Sequence, residues 1–233
     1  MPDNQFSRTE LLLGADAMYK LKNSHVIVFG VGGVGGYVIE ALTRAGIGSI
    51  DIVDNDVVSV TNLNRQIIAL HSTIGKYKVD VMKDRVLDIN PDININTFKT
   101  FYSPETSQEF DFSKYDYVVD AIDNVTGKIE LVMQAQKFQI PIISSMGTGN
   151  KVNPEMLEIS DIYKTSVCPL ARVMRQEMKK RRVKKLKVLY SKEVPIKPVF
   201  KEGEKPYPSS SSFVPSTAGL IIASQVIKDI INL

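Results

Sequence analysis

The sequence predicts an α/β fold, in which a Rossmann-like, doubly wound and mostly parallel sheet carries a basic C-terminal extension packed on it. Three observations support this prediction. A glycine-rich loop joins a short apolar strand to a helix, the next strand ends in an aspartate, and strands alternate with helices over roughly the first 150 residues. With 233 residues, the chain is long enough for one sizeable core.

The predicted elements follow one another in a regular order. Leucines within residues 4–22 have the spacing of a short amphipathic helix that precedes the first strand. Periodicity and turn residues then predict strands at 25–30, 49–53, 94–99, 117–122 and 140–144, and helices at 33–45, 76–90 and 128–139. After Gly147 the weaker pattern predicts a basic helix, a short strand, a polar Pro/Ser loop and an apolar helix at 168–182, 188–190, 201–212 and 218–231. The polar loop is typical of a plain linker or of a segment that a partner orders.

The charges are distributed unevenly along a chain whose formal net charge is +3. Residues 164–205 hold 14 Lys and Arg against 4 Glu, whereas the rest of the chain holds 15 basic and 22 acidic residues. Such a basic run is typical either of a solvated helix end or of a surface that binds a polyanion, and the acidic remainder favours nucleic acid. The candidate nucleic-acid-binding residues are Arg172, Arg175, Lys179, Lys180, Arg181, Arg182, Lys184 and Lys185.

The single cysteine, Cys168, excludes an internal disulfide and a four-cysteine zinc site. This composition favours a reducing, cytoplasmic environment. The first residues lack the features of a signal peptide, and no apolar run approaches the roughly 18 residues that span a bilayer, so we expect no membrane partner. Cys168 is either a reactive thiol at the start of a basic helix or, as is commoner for a lone cysteine, a small buried hydrophobic residue. His25 and His71 have no nucleophile paired with them in the sequence and are interpreted as structural.

The glycine loop has the spacing of a phosphate-binding turn. Gly30, Gly32 and Gly35 match the pattern G-x-G-x-x-G, and Gly33 lies between them. Small residues in this pattern allow a tight turn and a close approach of phosphate to the N-terminus of the next helix, where free N–H groups favour an anion. Asp54 ends the second strand, in the position of a ribose-binding acid. These features alone are shared with dinucleotide-binding domains.

A polar tract runs from Asn62 to Gln66, and a dinucleotide-binding site does not require such a tract after its second strand. It contains Asn64 and Arg65, and Lys78 follows near the start of the next helix. Joining a carboxylate to the α-phosphate of ATP brings two anions together, so the site must supply positive charge. Arg65 and Lys78 are suited to that task.

Three aspartates complete the candidate site. Asp123 follows the fourth strand, at the carboxyl edge of the sheet where open α/β folds bind ligands, and a carboxylate there is able to hold Mg²⁺. Asp120 lies inside the strand and is interpreted as structural. Asp56 either assists at the nucleotide or caps its turn.

Together, Gly30–Gly36, Asp54–Gln66, Lys78 and Asp120–Asp123 resemble the adenylyltransferase superfamily. This superfamily includes ubiquitin-activating enzymes and the activating enzymes of molybdopterin and thiamine synthesis. The resemblance covers residues 1 to about 150 and depends on the combination of motifs rather than on the glycine loop alone.

The resemblance implies an ATP site with Mg²⁺ bound by Asp123, and catalytic roles for Arg65, Lys78 and Asp123. It also implies a homodimer in which the partner's Arg8 reaches into the same site. The implied nucleotide-binding residues are Gly30, Gly32, Gly33, Gly35, Asp54, Asp56, Asn62, Asn64, Arg65, Gln66, Lys78 and Asp123.

The second half of the chain is similar to one branch of this superfamily, the tRNA threonylcarbamoyladenosine dehydratases. The similarity lies in Pro169–Ala171, with the arginines that follow, and in Phe213–Ser216. It implies that ATP adenylates the carboxylate of a threonylcarbamoyl group on tRNA, and that the neighbouring urea-type group closes a ring and releases AMP. We therefore predict an ATP-binding, adenylyltransferase-like core at 1–163 and a basic RNA-binding segment with the C-terminal helix at 164–233, within one globular unit.

Several alternatives stay open from the sequence. The same ATP site could adenylate the C-terminal glycine of a ubiquitin-like sulfur-carrier protein, although the single cysteine and the basic segment argue against it. A dinucleotide-dependent oxidoreductase and a non-catalytic RNA-binding module are further alternatives. The sequence also leaves open whether a monovalent cation is an additional cofactor and whether a sulfur-transfer protein is an additional partner.

Overall fold

A computed structural model gives the structure of residues 4–198 and 208–233. Within these ranges the chain forms seven α-helices and seven β-strands. The strands are β1 (His25–Phe29), β2 (Ser49–Val53), β3 (Asn94–Phe98), β4 (Tyr117–Asp120), β5 (Ile142–Ser145), β6 (Leu157–Asp161) and β7 (Lys187–Ser191). The helices are α1 (Ser7–Leu13), α2 (Ala15–Lys22), α3 (Gly35–Ala45), α4 (Lys78–Ile89), α5 (Val125–Phe138), α6 (Pro169–Lys180) and α7 (Val214–Ile231).

All seven strands belong to one sheet, in the order β3-β2-β1-β4-β5-β7-β6. Six strands are parallel, and β6 pairs antiparallel with β7 at one edge. The strand order reverses between β1 and β4, and open α/β sheets bind ligands at the carboxyl ends of the strands beside such a reversal. The predicted doubly wound, mostly parallel sheet is confirmed.

The predicted elements differ from the structure mainly at three places. Residues 7–22 form two helices rather than one, because Gly14 between them has φ +87°, outside the helical range. Leu11 and Leu12 are 74% and 81% exposed, so they do not form a buried face. The strand β6 is absent from the prediction, since its sequence has only two apolar residues. Of the predicted Pro/Ser loop, residues 201–207 lie outside the described residues, and 208–212 form irregular structure.

The C-terminal elements pack into the same sheet and core as the N-terminal ones. β7 lies between β5 and β6, and α7 packs along α3 so closely that a Cβ atom on Gly219 would lie 2.4 Å from the carbonyl oxygen of Val34. The expectation that no apolar run reaches the length of a membrane span is wrong for α7, an 18-residue helix with a mean hydropathy of 1.3. Its apolar residues are partly buried in the core of this fold, including Val214, Ile222 and Val226.

A polar network ties β2 to its neighbours inside the sheet. Asp51 accepts hydrogen bonds from Asn96 and from the hydroxyl of Tyr115, both at 2.8 Å, and its carboxylate lies 2.9 Å from Nε2 of His25. Burial alone raises the pKa of Asp51, but the hydrogen bonds from His25, Asn96 and Tyr115 outweigh it and hold the pKa below its usual range. His25 is thus structural, as predicted.

Replacing Asp51 with asparagine should lower the free energy of unfolding at pH 7 by about 2 kcal/mol, because the amide cannot accept all of these hydrogen bonds. Since the folded-state pKa is lowered, the contribution of the carboxylate is complete above the unfolded-state pKa and is lost as the pH falls through the folded-state pKa. Urea denaturation of both proteins measures the difference. We expect it to be equal at pH 7 and pH 5 and smaller at pH 3; a difference that stays constant down to pH 3 would contradict this account.

Candidate nucleotide-binding site

The turn between β1 and α3 brings backbone atoms closer together than any side chain would allow. Gly30 has φ +94°, and a Cβ atom on it would lie 2.7 Å from the carbonyl oxygen of Ala121, which follows β4. A Cβ atom on Gly35 would lie 1.8 Å from the carbonyl oxygen of Gly30. The first turn of α3 therefore packs on the ends of β1 and β4, with its free N–H groups at the strand reversal.

Asp54, which follows β2, closes the other side of this turn. Its carboxylate accepts hydrogen bonds from the backbone N–H of Val31 at 2.7 Å and of Asp56 at 2.8 Å. Burial raises the pKa of Asp54, although the charge of Lys78 and the two hydrogen bonds act in the opposite direction. Each carboxylate oxygen has a further lone pair, so Asp54 is able to accept hydrogen bonds from ribose hydroxyls.

Lys78, the first residue of α4, is 5% exposed, and its Nζ lies 2.7 Å from the carboxylate of Asp56. That carboxylate is itself largely exposed. Asp56 thus has a role that the sequence analysis did not consider: its carboxylate holds the ammonium group of Lys78 in place. The ammonium group has three N–H donors, so Lys78 is able to donate to a bound anion as well as to Asp56.

Arg65 lies next to the glycine loop, as the sequence predicts. A Cβ atom on Gly33 would lie 3.3 Å from Cγ of Arg65. Its Nη1 donates to the carbonyl oxygen of Thr61 at 3.0 Å and to Oδ1 of Asn64 at 2.8 Å. An arginine has five N–H donors, so the guanidinium is oriented by these two contacts and keeps donors for a phosphate.

The two buried amides of the tract have different surroundings. Oδ1 of Asn62 accepts a hydrogen bond from the N–H of Ser59 at 3.0 Å, which stabilises the turn that carries the tract. Gln66 is 6% exposed, and its Oε1 has no hydrogen-bond partner. Its Nε2 would lie 3.9 Å from a Cβ atom on Gly32. An unsatisfied amide beside a phosphate-binding loop fits a polar ligand such as a nucleotide, which would supply the missing partner.

Asp123 is an exposed residue of the loop between β4 and α5, whose other residues are half-buried. Among the residues that the structure describes, no group of three or more carboxylate, histidine or cysteine side chains could hold a metal ion. A Mg²⁺ ion here would therefore take most of its ligands from phosphate oxygens and water, with Asp123 as a protein ligand. That arrangement is usual for Mg²⁺ bound with a nucleotide.

The structure does not bring Arg8 to the nucleotide site of its own chain. Arg8 is an exposed residue of α1, and the ring of Phe6 packs near Gly46, where α3 ends. The glycine loop lies at the other end of α3, about 16 Å away at 1.5 Å per residue. Arg8 is therefore remote from the glycine loop of its own chain.

Two residues that the sequence analysis did not bring together form a buried ion pair under the site. Nζ of Lys128, on α5, lies 2.9 Å from Oδ1 of Asp120 at the end of β4, and both side chains are 0% exposed. The structural role predicted for Asp120 is confirmed, and Lys128 is its partner. The sequence signal is weak, since it is only a lysine in the first turns of the helix that follows the strand.

A C-terminal segment, Pro208–Ser212, crosses the same edge of the sheet. Nδ2 of Asn64 donates to the carbonyl oxygen of Ser210 at 3.0 Å. The backbone N–H of Asn150 donates to Ser209 O at 2.8 Å, and its Oδ1 accepts from Ser209 N at 2.7 Å. This segment therefore joins the polar tract to the loop after β5. Irregular backbone of this kind has no periodicity, so sequence patterns do not predict its contacts.

A family model, the ThiF family, matches residues 6–233. The chain belongs to the ThiF family. It is 46% identical to a tRNA threonylcarbamoyladenosine dehydratase of Bacillus subtilis, over 98% of this chain and 95% of that protein. It is 37% identical to the protein of the same name from Escherichia coli, over 75% of this chain and 65% of that one.

Solved structures agree with this assignment. The E. coli tRNA N6-threonylcarbamoyladenosine dehydratase in complex with ATP matches with a TM-score of 0.90 and 31% identity, covering 98% of this chain and 94% of that one. The same enzyme in complex with AMP matches with a TM-score of 0.90 and 32% identity, over the same shares of both chains. The Rossmann-like fold of this ThiF-family chain is thus the fold of enzymes that bind ATP.

The basic segment lies on the surface around α6, whose buried face consists of Ala171, Met174 and Met178. Seven of the eight candidate nucleic-acid-binding residues are exposed, namely Arg172, Lys179, Lys180, Arg181, Arg182, Lys184 and Lys185. Glu177 pairs with Lys180 and with Arg181, each at 2.6 Å, so part of this charge is compensated within the helix.

Arg175 differs from the other seven basic residues. It is half-buried, and its guanidinium donates to the carbonyl oxygen of Thr165 at 2.9 Å and also to the hydroxyl of that residue. Its contacts hold the loop that precedes α6. Arg175 therefore has a structural role in addition to the nucleic-acid contact expected of it.

Cys168 is 1% exposed and packs in an apolar cluster with Met146, Ala171 and Met174. This confirms its interpretation as a small buried hydrophobic residue. His71 is exposed in a short 3₁₀ turn, His71–Thr73, after the polar tract.

Replacing Gly35 with alanine should destabilise this ThiF-family chain by about 3 kcal/mol and abolish nucleotide binding, because the new methyl group would overlap the carbonyl oxygen of Gly30. Gly32→Ala is the matched control, since the nearest atom to its new Cβ would be 3.9 Å away. We expect the control to change the free energy of unfolding by less than about 1 kcal/mol. Urea denaturation and calorimetric titration with ATP measure both effects; equal losses of stability in the two variants would contradict this account.

Proposed function

We propose that this chain is an ATP-dependent tRNA-modifying dehydratase that cyclises threonylcarbamoyladenosine beside the anticodon of tRNA. The observation that carries the proposal is the similarity to the B. subtilis dehydratase, which extends over almost the whole of both chains. The similarity therefore covers the residues of the basic surface as well as those of the nucleotide site. The proposed enzyme works in the cytoplasm, with ATP and Mg²⁺.

The proposed reaction has two steps. In the first, a carboxylate oxygen of the threonylcarbamoyl group attacks the α-phosphorus of ATP, which forms an acyl-adenylate and releases pyrophosphate. In the second, the neighbouring urea-type group attacks the acyl carbon, which closes the ring and releases AMP. The substrate loses one water overall. Because the substrate supplies the second nucleophile, no protein thiol is needed, which agrees with the burial of Cys168.

Positive charge is the main contribution of the protein to the first step. The N-terminus of α3, Arg65 and Lys78 would bind the phosphates, while Asp54 and Gln66 would hold the nucleoside. Asp123 would hold Mg²⁺, which would supply positive charge to the phosphates. Removing one such preorganised cation typically costs about 3 kcal/mol of transition-state stabilisation, roughly a hundredfold in rate.

The proposed active unit is a homodimer, in which the partner's Arg8 completes the charge around the ATP. Three features of the chain support it: Arg8 is remote from its own glycine loop, α1 has no buried residue, and Leu11 and Leu12 on α1 are exposed. Exposed leucines on a short helix favour a protein interface. No contact among residues 4–198 and 208–233 favours a monovalent cation or a sulfur-transfer partner, and neither belongs to this proposal.

Mass spectrometry of tRNA nucleosides tests the proposed function. After incubation with the protein and ATP, tRNA carrying threonylcarbamoyladenosine should contain a product lighter by one water, and pyrophosphate should accumulate in equal amount. Unmodified tRNA should give neither. Equal pyrophosphate release with unmodified tRNA would overturn the proposal, and release with a ubiquitin-like carrier protein alone would favour the sulfur-carrier alternative.

Charge reversal at Lys180, Arg181 and Lys184 tests the basic surface. The triple glutamate variant should bind tRNA at least about tenfold more weakly, and the slope of log Kd against log salt concentration should fall by about 2, because fewer counterions are released. A variant with glutamate at three exposed lysines outside the basic segment, Lys22, Lys114 and Lys137, serves as control. If both variants bind alike in filter-binding assays, the basic run is only a solvated surface.

Subunit mixing tests the shared site. Arg8→Ala and Asp123→Asn homodimers should each be inactive, since every site lacks one group. After the two proteins are mixed and allowed to exchange subunits, about half of the dimers are mixed and each has one complete site, so about a quarter of the wild-type pyrophosphate release should return. Absence of recovery, with subunit exchange verified by native mass spectrometry, would mean that Arg8 does not act in the partner's site.

A further inference from the structure

We infer that Lys128 is a positioning residue for the proposed adenylation reaction, and that it acts by clamping together the ends of β4 and β5 at the nucleotide site. This inference deepens the proposed function and rests on it. Lys128 lies on α5, and its side chain reaches back to the sheet, where it is 0% exposed. Lys128 would therefore maintain the geometry of the site without contacting the substrate.

The contacts of Lys128 involve both strands. Its Nζ donates to Oδ1 of Asp120 at 2.9 Å and to the carbonyl oxygen of Ser145 at 2.7 Å, and it lies 3.4 Å from the hydroxyl oxygen of Ser144. That hydroxyl in turn donates to the other carboxylate oxygen of Asp120. All three donors of the ammonium group thus have acceptors, and the two carboxylate oxygens have different donors.

Stability alone does not account for this ion pair. Taking two charges out of water is costly, and apolar side chains of similar volume often give equal or greater stability at such a place. Buried polar groups with directional hydrogen bonds instead fix one arrangement of the chain. The arrangement fixed here is the relative position of Asp120 and Ser145, the last residues of two adjacent parallel strands.

Both strands lead directly into loops of the nucleotide site. After Asp120 the chain continues through Ala121, which contacts the glycine loop, to Asp123. The loop ends at Asn124, whose side chain accepts a hydrogen bond from the N–H of Gly127 at 2.6 Å at the start of α5. Lys128, one residue further, therefore fixes the second end of the loop against the first. A displaced Asp120 would displace Asp123 and the proposed Mg²⁺ position with it.

The other half of the site has no direct contact with Lys128, whose Nζ bonds only Asp120, Ser144 and Ser145. Asp54, Gln66 and Lys78 follow β2; the backbone N–H of Val31 holds Asp54, and the carboxylate of Asp56 holds Lys78. A positioning role for Lys128 consequently predicts a selective defect. The affinity for the nucleotide should change little, whereas the contribution of Mg²⁺ and the rate of the chemical step should fall.

The test uses the full chain with Lys128→Met, which keeps the unbranched shape of the side chain up to the ε-carbon and removes the charged ammonium group. We expect kcat for pyrophosphate release to fall about tenfold or more, the Mg²⁺ concentration for half-maximal rate to rise about tenfold, and KM for ATP to stay within about threefold. Arg85→Met is the control, since Arg85 forms a partly buried ion pair with Glu40 between α3 and α4. The control should lose stability without a change in Mg²⁺ requirement.

A second variant covers the case in which Lys128→Met does not fold because Asp120 is left without its cation. The pair Lys128→Met and Asp120→Leu removes both charges, and it should fold while keeping the same kinetic defect. A folded variant of either kind with wild-type kcat and wild-type Mg²⁺ requirement would overturn the inference. So would a defect that is confined to KM for ATP.

Calorimetry separates failure of this inference from failure of the proposed function. Titration with ATP over a range of Mg²⁺ concentrations needs no tRNA substrate, and Mg²⁺ should strengthen ATP binding to the Lys128 variants only at concentrations about tenfold higher than those that act on the wild-type protein. If the wild-type protein shows the Mg²⁺ effect and no reaction on modified tRNA, the proposed function is wrong and the clamp is still measurable. If wild-type and variants show an equal Mg²⁺ effect, the clamp is wrong.

Discussion

The nucleotide site depends on the close approach of α3 to the ends of β1 and β4. No side chain fits at Gly35, where a Cβ atom would overlap the carbonyl oxygen of Gly30, or at Gly30, which faces the carbonyl oxygen of Ala121. This approach directs the N-terminus of α3 into the crevice at the strand reversal and sets the backbone N–H of Val31 within reach of Asp54. Wider spacing would separate the glycine turn from the residues proposed to hold the nucleoside.

The charges around this turn are arranged for a reaction between two anions. Lys78 is buried and paired with the largely exposed carboxylate of Asp56, whereas the contacts that orient Arg65 are neutral oxygens, which leave its charge uncompensated by them. In the proposed reaction the residues of the site would provide electrostatic stabilisation and orientation, and none of them has to form a covalent bond with the substrate. The burial of Cys168 agrees with this division of labour between protein and substrate.

The sequence predicts the elements whose residues are periodic and the motifs whose spacing is local. The strands of the sheet, the glycine turn and the position of Arg65 beside it follow from such patterns. The edge strand β6 does not, because it has few apolar residues, and the break at Gly14 depends on one backbone angle. The clamp at Lys128 also escapes prediction, because a buried lysine in an amphipathic helix looks like a surface residue until its acceptor is known.

The packing of α7 on the glycine loop has a consequence for how the protein is made. A Cβ atom on Gly33 would lie 3.2 Å from Cβ of Pro215, in the first turn of α7. The ribosome must therefore add about 180 residues after the loop before this contact can form, which takes on the order of ten seconds or more at usual rates of synthesis. During that interval the face of α3 that packs on α7 has no partner, and the glycine loop lacks its contact with Pro215. The glycine loop thus reaches its final packing only after α7 has been synthesised, long after the loop itself.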